Sequence, residues 1–565
     1  MSQSIRHRRL LKQVLRSGVA FGLLLLLSSY AEVGPDRANR RRPNIIMIMV
    51  DDMGYSDIGC YGAEIRTPNI DWLAAHGVRF TQFYNNAVCT PTRASLLTGR
   101  YAHQAGLASN NTWPSYNPNL SEAEHAQALK TRGNNFWQHH KFPAYNVLRT
   151  DTCTTIGHVL RAAGYQTFLS GKWHVGDEKR FWPVNQGFDR SFVMIWGGGG
   201  HFKPPWAPYA LDDQPFTEFP DDFYTTDYFF KYAMQFIEQS DPAKPYFVYL
   251  TPSAPHAPFQ AWPEDIKKYD GVYDVGWEEI RRQRLAKQIQ LGLYPPGTEL
   301  PPWTPGLPAW ASEPDKEDAA NSMEVMAAMV DRVDQKIGEL IALLRRRGEL
   351  DNTVIMFFSD NGGTPTSFGR PLKHFHSWGE ARNTPCSKMK GWMHEGGMRS
   401  PLVVAWPGQL PANVINHDQV GHVIDILPTC LELAGGEYPK DREPPEGISL
   451  LPALRNPHHA TPRTLYWELS GGNAIRVGDW KLVREFTDQY FGKGEAAERS
   501  GRWALYNVRT DPGEVQDLIG KYPERAREME GQYFAWEKRV GVVPHEQIKK
   551  LQAEFRATQT NQKEK

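Results

Sequence analysis

Asn44-Ile45-Ile46-Met47-Ile48-Met49-Val50 runs directly into Asp51-Asp52, and this stretch decides the fold. An unbroken apolar run cut off by two carboxylates offers water no polar face. It predicts a strand buried on both sides in a parallel sheet. Open α/β sheets place their ligand sites beyond the carboxyl ends of strands, so Asp51 and Asp52 are candidate functional residues. Successive strand side chains point to opposite faces. The two carboxylates can converge on one ion only if the backbone leaves strand geometry, and Met53-Gly54 offers that opportunity.

Outward from this strand the same grammar repeats. Thr67-Pro68 opens a short helix through Ala75, with proline at the favoured first position and Gly77 closing it. A helix over 154–163 is stopped by Gly164 and followed by a strand over 165–169. Residues 246–250 form another strand. Val325, Met326, Met329, Val330, Val333, Ile337, Leu340, Ile341 and Leu344 recur at helical spacing and predict a long amphipathic helix. A buried strand over 353–358 then ends in Ser359-Asp360-Asn361-Gly362, and 401–406 is one more strand. Helices alternating with apolar strands indicate an α/β domain with a large, mostly parallel or mixed sheet. Beyond about residue 455 the pattern changes to short strands at 465–467, 474–476, 480–483 and 505–507, then a helix from Pro523 to about Arg539. This predicts a smaller C-terminal antiparallel sheet with a packed helix. The expected division is a catalytic domain over 44–455, a subdomain over 456–548 and a frayed polar tail over 549–565.

The chain has 565 residues, beyond the size of roughly 250–300 at which a single core stops growing. Its 64 basic and 64 acidic residues cancel, leaving no global field to attract nucleic acid or an anionic membrane. An anionic substrate must then be held by a local cationic pocket. Residues 1–31 combine a basic start, the apolar run Val19–Leu27 and small residues at Ser29 and Ala31, the pattern of an export signal. The run falls short of the roughly 20 residues a membrane span needs. The expectation is therefore a soluble, periplasmic or secreted protein, with a polar linker over 32–43 and no membrane span. Five cysteines (Cys60, Cys89, Cys153, Cys386, Cys430) leave one odd thiol in an exported chain.

Cys89-Thr90-Pro91-Thr92-Arg93 runs on into Ala94-Ser95-Leu96-Leu97-Thr98-Gly99-Arg100. Alone, its cysteine reads equally well as a structural thiol beside a turn proline. Asp360-Asn361 repeats the acidic ending of the first strand, with Gly362-Gly363 behind it. Either pair alone reads as a turn or helix cap. Together, four oxygen-bearing side chains suit a hard divalent cation, calcium before magnesium. Lys172 and His174 flank Trp173 just past a strand, so an extended chain points both into one pocket. His256 sits between prolines in Ser253-Ala254-Pro255-His256-Ala257-Pro258. Lys390 opens the glycine-rich run Lys390-Gly391-Trp392-Met393-His394-Glu395-Gly396-Gly397.

These motifs resemble the signature of the type I sulfatases, an arylsulfatase-like family of the alkaline phosphatase superfamily, over roughly residues 44–440. The resemblance implies that Cys89 is oxidised after translation to Cα-formylglycine by a dedicated maturation enzyme. It implies that Asp51, Asp52, Asp360 and Asn361, with the modified Cys89, hold a divalent cation. Arg93 then neutralises formylglycine oxygens, while Lys172, His174, His256 and Lys390 surround the sulfate, with Lys373 and Lys388 as rivals of Lys390. The implied reaction is hydrolysis of a sulfate monoester, on a small molecule or a glycan. Two alternatives stand beside it: a formylglycine-dependent phosphonate or phosphodiester hydrolase, and an inactive sulfated-glycan binding protein. Asn361, where two-zinc phosphatases of the superfamily carry histidine, favours the one-metal sulfatase. The stretch from about Gly197 to Pro314, with Gly197–Gly200, His201, Trp206 and the Pro/Trp-rich 294–310, is expected to border the pocket.

Overall fold

The computed structural model describes residues 42–110, 140–203, 205–304, 307–364, 375–485 and 501–563. The expected export signal, most of the expected linker, and Lys373 lie outside the described residues. The chain begins with β1 (Asn44–Val50), α1 (Pro68–Ala75), β2 (Gly77–Tyr84) and α2 (Cys89–Thr98). It continues through α3 (Ile156–Ala162), β3 (Gln166–Lys172), β4 (Arg190–Met194), and the short pair β5 (Tyr209–Leu211) and β6 (Gln214–Phe216). Next come α4 (Thr225–Glu238), β7 (Tyr246–Thr251), α5 (Trp277–Gln290), α6 (Lys316–Arg346) and β8 (Thr353–Ser359). The strands β9 (Arg399–Ala405), β10 (Val414–Asn416) and β11 (Gly421–His422) complete the large sheet.

Its order is β10-β2-β9-β8-β1-β7-β3-β4-β5-β6, with β11 also on β2. The five central strands β8, β1, β7, β3 and β4 run parallel; β9 is antiparallel to both of its neighbours. β1 lies at the centre, as its apolar run requires. Ile46, Ile48 and Val50 enter the core that α6 covers, and Ile45, Met47 and Met49 enter the core on the opposite face. Each such side chain contributes about 1.5–3 kcal/mol when fully buried. α6 is capped by Asp315, whose carboxylate accepts the Asp318 amide, and it buries Met326, Val330, Val333, Ile337 and Leu344 along one face.

A second sheet of antiparallel strands β12 (Thr464–Leu469), β13 (Gly472–Val477), β14 (Trp480–Arg484) and β15 (Ala504–Asn507) packs beneath α7 (Pro523–Val540). Its core is shared with the first sheet: Leu465, Trp467 and Ile475 meet Tyr84, Val88 and Met398. Residues 43–565 accordingly form one compact unit.

Three details differ from the sequence reading. Gly77 does not merely end α1; it begins β2, where a Cβ would lie 2.1 Å from the Val404 carbonyl oxygen. β2 escapes the pattern because its polar members Arg79, Thr81 and Gln82 are buried rather than solvated. The expected frayed tail is helical: α8 spans His545–Lys563. Ile548 is buried with Val543 and Tyr145. Beyond it the Glu, Gln, Lys and Ala residues are good helix formers, with no Gly or Pro to interrupt them.

Candidate active site

The acidic pairs meet where β1 and β8 end side by side, with Val50 opposite Ser359 in the parallel register. Asp52 adopts a left-handed backbone (φ +65°). This is the departure from strand geometry that convergence requires, and it falls on Asp52 itself rather than on Met53-Gly54. A short side chain that tolerates this region makes aspartate a natural choice there. The Asp52 amide donates to Asp360 Oδ1 at 3.1 Å, and Asn361 Nδ2 donates to Asp52 Oδ1 at 2.8 Å. Ser359 ties the two turns together, accepting the Met53 amide (3.0 Å) and donating to the Asn361 carbonyl (2.9 Å). All four residues are buried.

Cys89 is the first residue of α2, so its side chain lies where unpaired amides and the helix dipole favour negative charge. It is 2% exposed. Its Sγ lies 3.9 Å from Lys390 Nζ and 3.8 Å from Asn110 Nδ2, and Asn110 Oδ1 also accepts the Thr90 amide at 3.1 Å. One turn along α2, Arg93 points into the same cluster. Its guanidinium donates to Asp360 Oδ2 (2.9 Å), Thr251 Oγ1 (2.7 Å) and the Lys172 carbonyl (2.8 Å), and stands 3.7 Å from Asp51 Oδ1.

Lys172 ends β3 and donates to Asp51 Oδ2 at 2.7 Å; Trp173 turns away into the core beside Phe188. His174 converges on the site by a different route from the one expected. Its backbone is left-handed (φ +56°), and its ring lies 3.2–3.3 Å from Thr90 Oγ1. His256 follows β7 on a loop with cis Ala254-Pro255 and Ala257-Pro258 bonds. Its Nδ1 lies 2.6 Å from the Ala257 carbonyl oxygen, which leaves Nε2 facing Asp52 Oδ2 at 3.7 Å. Lys390 donates to Asp52 Oδ1 at 2.5 Å. Lys388 turns elsewhere: it donates to Thr304 Oγ1 at 3.2 Å and lies 5.1 Å over the Trp392 ring.

Electrostatics follow from this crowding. Burial raises the Asp52 pKa, but Lys390, His256 and Lys172 outweigh it, and the carboxyl is held below its ordinary value. Burial and the neighbouring Asp51 charge push Asp360 up despite Arg93. Burial, reinforced by Lys172 and Arg93, holds His174 well below the usual histidine range. Burial likewise takes His256 down to about 3, against the pull of Asp52.

The donor set fits a hard cation. Asp51 Oδ1 and Asn361 Oδ1 are buried and accept no hydrogen bond, a costly condition for polar oxygens. Ligand atoms of Asp51, Cys89 and Asp360 lie within 4.8 Å of one another, as do those of Asp51, Asp52 and His256. The oxygen-rich character suits calcium or magnesium better than a thiophilic metal.

Four supporting residues carried no sequence signal: Asn110, Thr251, Ser359 and Arg382. Arg382 donates to the Asp52 carbonyl at 2.7 Å while paired with Asp57 at 2.8 Å. Each acts through a contact between segments far apart in the chain. The Pro/Trp-rich stretch packs against residues close in sequence to Asp52 and Lys390. Tyr294 packs against Tyr55, and Trp310 against Trp277. Trp303 lines a cleft of about 350 Å³ with Thr304, Lys388, Trp392 and His394.

Comparison with known proteins finds relatives over most of the chain. A family model described as Sulfatase matches residues 43–436, and one described as N-sulphoglucosamine sulphohydrolase, C-terminal, matches 388–532. An uncharacterised sulfatase of Schizosaccharomyces pombe is 32% identical, over 90% of this chain and 95% of its own. An arylsulfatase of Klebsiella aerogenes is 30% identical, over 71% of this chain and 89% of its own. Among solved structures, Ps i-CgsB in complex with k-i-k-neocarrahexaose superposes with a TM-score of 0.63 at 25% identity, covering 89% of this chain and 95% of that one. The chain belongs to the sulfatase family, within the alkaline phosphatase superfamily.

Proposed function

We propose that this protein hydrolyses sulfate monoesters, using a formylglycine made from Cys89 and a divalent cation held by Asp51, Asp52, Asp360 and Asn361. One observation carries the reading: the Cys89 side chain shares a buried pocket with both acidic pairs and with Arg93, Lys172 and Lys390. A hydrated aldehyde at position 89 would supply two hydroxyls, one to attack sulfur and a second whose deprotonation would expel sulfate and regenerate the aldehyde. The cation supplies Lewis acidity and charge.

The protein's own side chains do the rest. Arg93, Lys172 and Lys390 donate to an anionic group and stabilise charge developing on the sulfuryl oxygens. His174, held neutral by burial, takes the proton of the attacking hydroxyl. His256 presents Nε2 to the leaving oxygen. Burial depresses its basicity first and the Lys172 and Lys390 charges add to that; an anionic sulfuryl group lying between the lysines would offset their part and favour the protonated ring. Asn110 steadies the first turn of α2 through the Thr90 amide. The export signal makes the mature enzyme periplasmic or secreted, and a formylglycine-generating enzyme is its partner during maturation.

Serine at position 89 retains one hydroxyl and lacks the second. Cys89→Ser incubated with substrate is therefore expected to accumulate a sulfated protein, seen as a stoichiometric mass gain on the peptide containing position 89. Multiple turnovers by this variant, with no adduct, would refute the aldehyde-dependent release of sulfate.

A further inference from the structure

Trp206 is the largest apolar side chain left exposed among the described residues, at 54% of its surface. It stands in the connection between β4 and β5, beyond the carboxyl end of β4 and so on the same edge of the sheet as the site. Three glycines bring it there. A Cβ on Gly197 would lie 2.3 Å from His174 Cε1 and Nε2, so only glycine lets the backbone lie against that ring. A Cβ on Gly198 would lie 3.1 Å from His256 Cε1 and 3.9 Å from Trp206 Cη2. One on Gly200 would meet Trp206 Cδ1 at 3.4 Å. The strip thus touches both histidines and supports the indole along its length.

The base of this loop is fixed. The His201 amide donates to Gln260 Oε1 at 2.8 Å, and its ring nitrogens lie 2.8 Å from Thr225 Oγ1 and 2.9 Å from the His256 carbonyl oxygen. Phe202 is wedged against Tyr224 and Trp262 with ring centroids 4.8 and 4.7 Å apart. His201 therefore ties the Trp206 loop to the His256 loop, and Trp206 stays more than half exposed.

We infer that Trp206 is the wall on which the ring of the leaving alcohol stacks, so that a sulfate ester carried on a ring gains from it what one carried on a flexible alkyl chain does not. The inference rests on the sulfate-ester reading of the site. A leaving oxygen within hydrogen-bond reach of His256 Nε2 sends its carbon skeleton outward, and Trp206 is the aromatic surface next to that imidazole. An indole face prefers a ring to a chain because stacking adds to simple area burial. Phenols and the apolar faces of pyranoses share this chemistry.

The test compares wild type, Trp206→Ala and Trp206→Phe on 4-nitrophenyl sulfate, glucosamine 6-sulfate and hexyl sulfate, with Cys89 conversion verified by peptide mass. Trp206→Ala is expected to lower kcat/KM about tenfold on at least one ring ester, mainly through KM, with hexyl sulfate unchanged and Trp206→Phe restoring most of the loss. Loss confined to the aryl ester assigns a phenol; loss confined to the amino sugar assigns a pyranose. Equal kcat/KM for wild type and Trp206→Ala, or an equal loss on hexyl sulfate, overturns the inference. If wild type releases no sulfate at all, the hydrolase reading has failed. Calorimetric titration of Cys89→Ala and Cys89→Ala/Trp206→Ala with the two ring esters then decides the role of the wall, and equal Kd values for both esters overturn it.

Discussion

Asp52 takes a left-handed backbone at the end of β1 and thereby sets its carboxylate among Lys390, Asn361 and His256. That such a departure was required is evident from the sequence, because adjacent strand residues face opposite ways. Which residue makes it is not, since several polar residues and glycines after a strand can absorb the turn. His174 follows the same logic: its identity and neighbourhood are legible, its φ of +56° is not. The choice among lysines is likewise a matter of geometry, because Lys388 and Lys390 occupy one loop with similar sequence surroundings. Lys390→Ala is expected to lower kcat by about 10²–10³-fold, the range for removing one preorganised electrostatic partner. Lys388→Ala, whose amine lies against Thr304 and Trp392, is expected to stay within a few-fold of wild type. Steady-state sulfate release by the two variants checks the contrast.

At the level of elements, strands that are apolar throughout were readable, because burial on both faces leaves an uninterrupted run. β2 was not, since its buried polar side chains imitate a solvated segment. Arg79 donates to the Cys60 carbonyl oxygen at 3.1 Å and Thr81 to that of Asn416 at 3.3 Å. The turn after β8 depends on close backbone approach. Gly362 donates to the Gly397 carbonyl oxygen at 3.0 Å, and a Cβ on it would lie 1.8 Å from the Gly396 oxygen. Gly362→Ala must therefore move a backbone that positions Asn361. It is expected to destabilise the fold by about 1–3 kcal/mol or more, the range for overpacking, and to abolish sulfate release. Gly520→Ala, with no atom within 4 Å of the added Cβ, is the control expected to melt like wild type. Thermal unfolding of the pair measures the difference.

Across the whole molecule, residues from six separated segments meet at one edge of a single sheet, and the second sheet holds that edge in place. Lys481 on β14 is buried between Glu395 (3.1 Å) and Glu514 (2.9 Å), and Glu514 Oε2 accepts the Glu395 amide at 2.6 Å. The glycine-rich turn that packs on Gly362 is thus pinned by the C-terminal strands, a long-range dependence that no local pattern announces. The chemistry was more legible than the support, because residues that hold ions or anions must be of particular types, whereas those that orient them answer only to neighbours. Product release tests most directly which bond the protein breaks. Sulfate from 4-nitrophenyl sulfate and phosphate from 4-nitrophenyl phosphate are to be measured in parallel, using protein whose Cys89 peptide carries the aldehyde mass and protein whose Cys89 remains a thiol. Sulfate release confined to the aldehyde form, with phosphate release far slower, is the predicted result. Equal turnover by the thiol form, or phosphate release exceeding sulfate release, would contradict it.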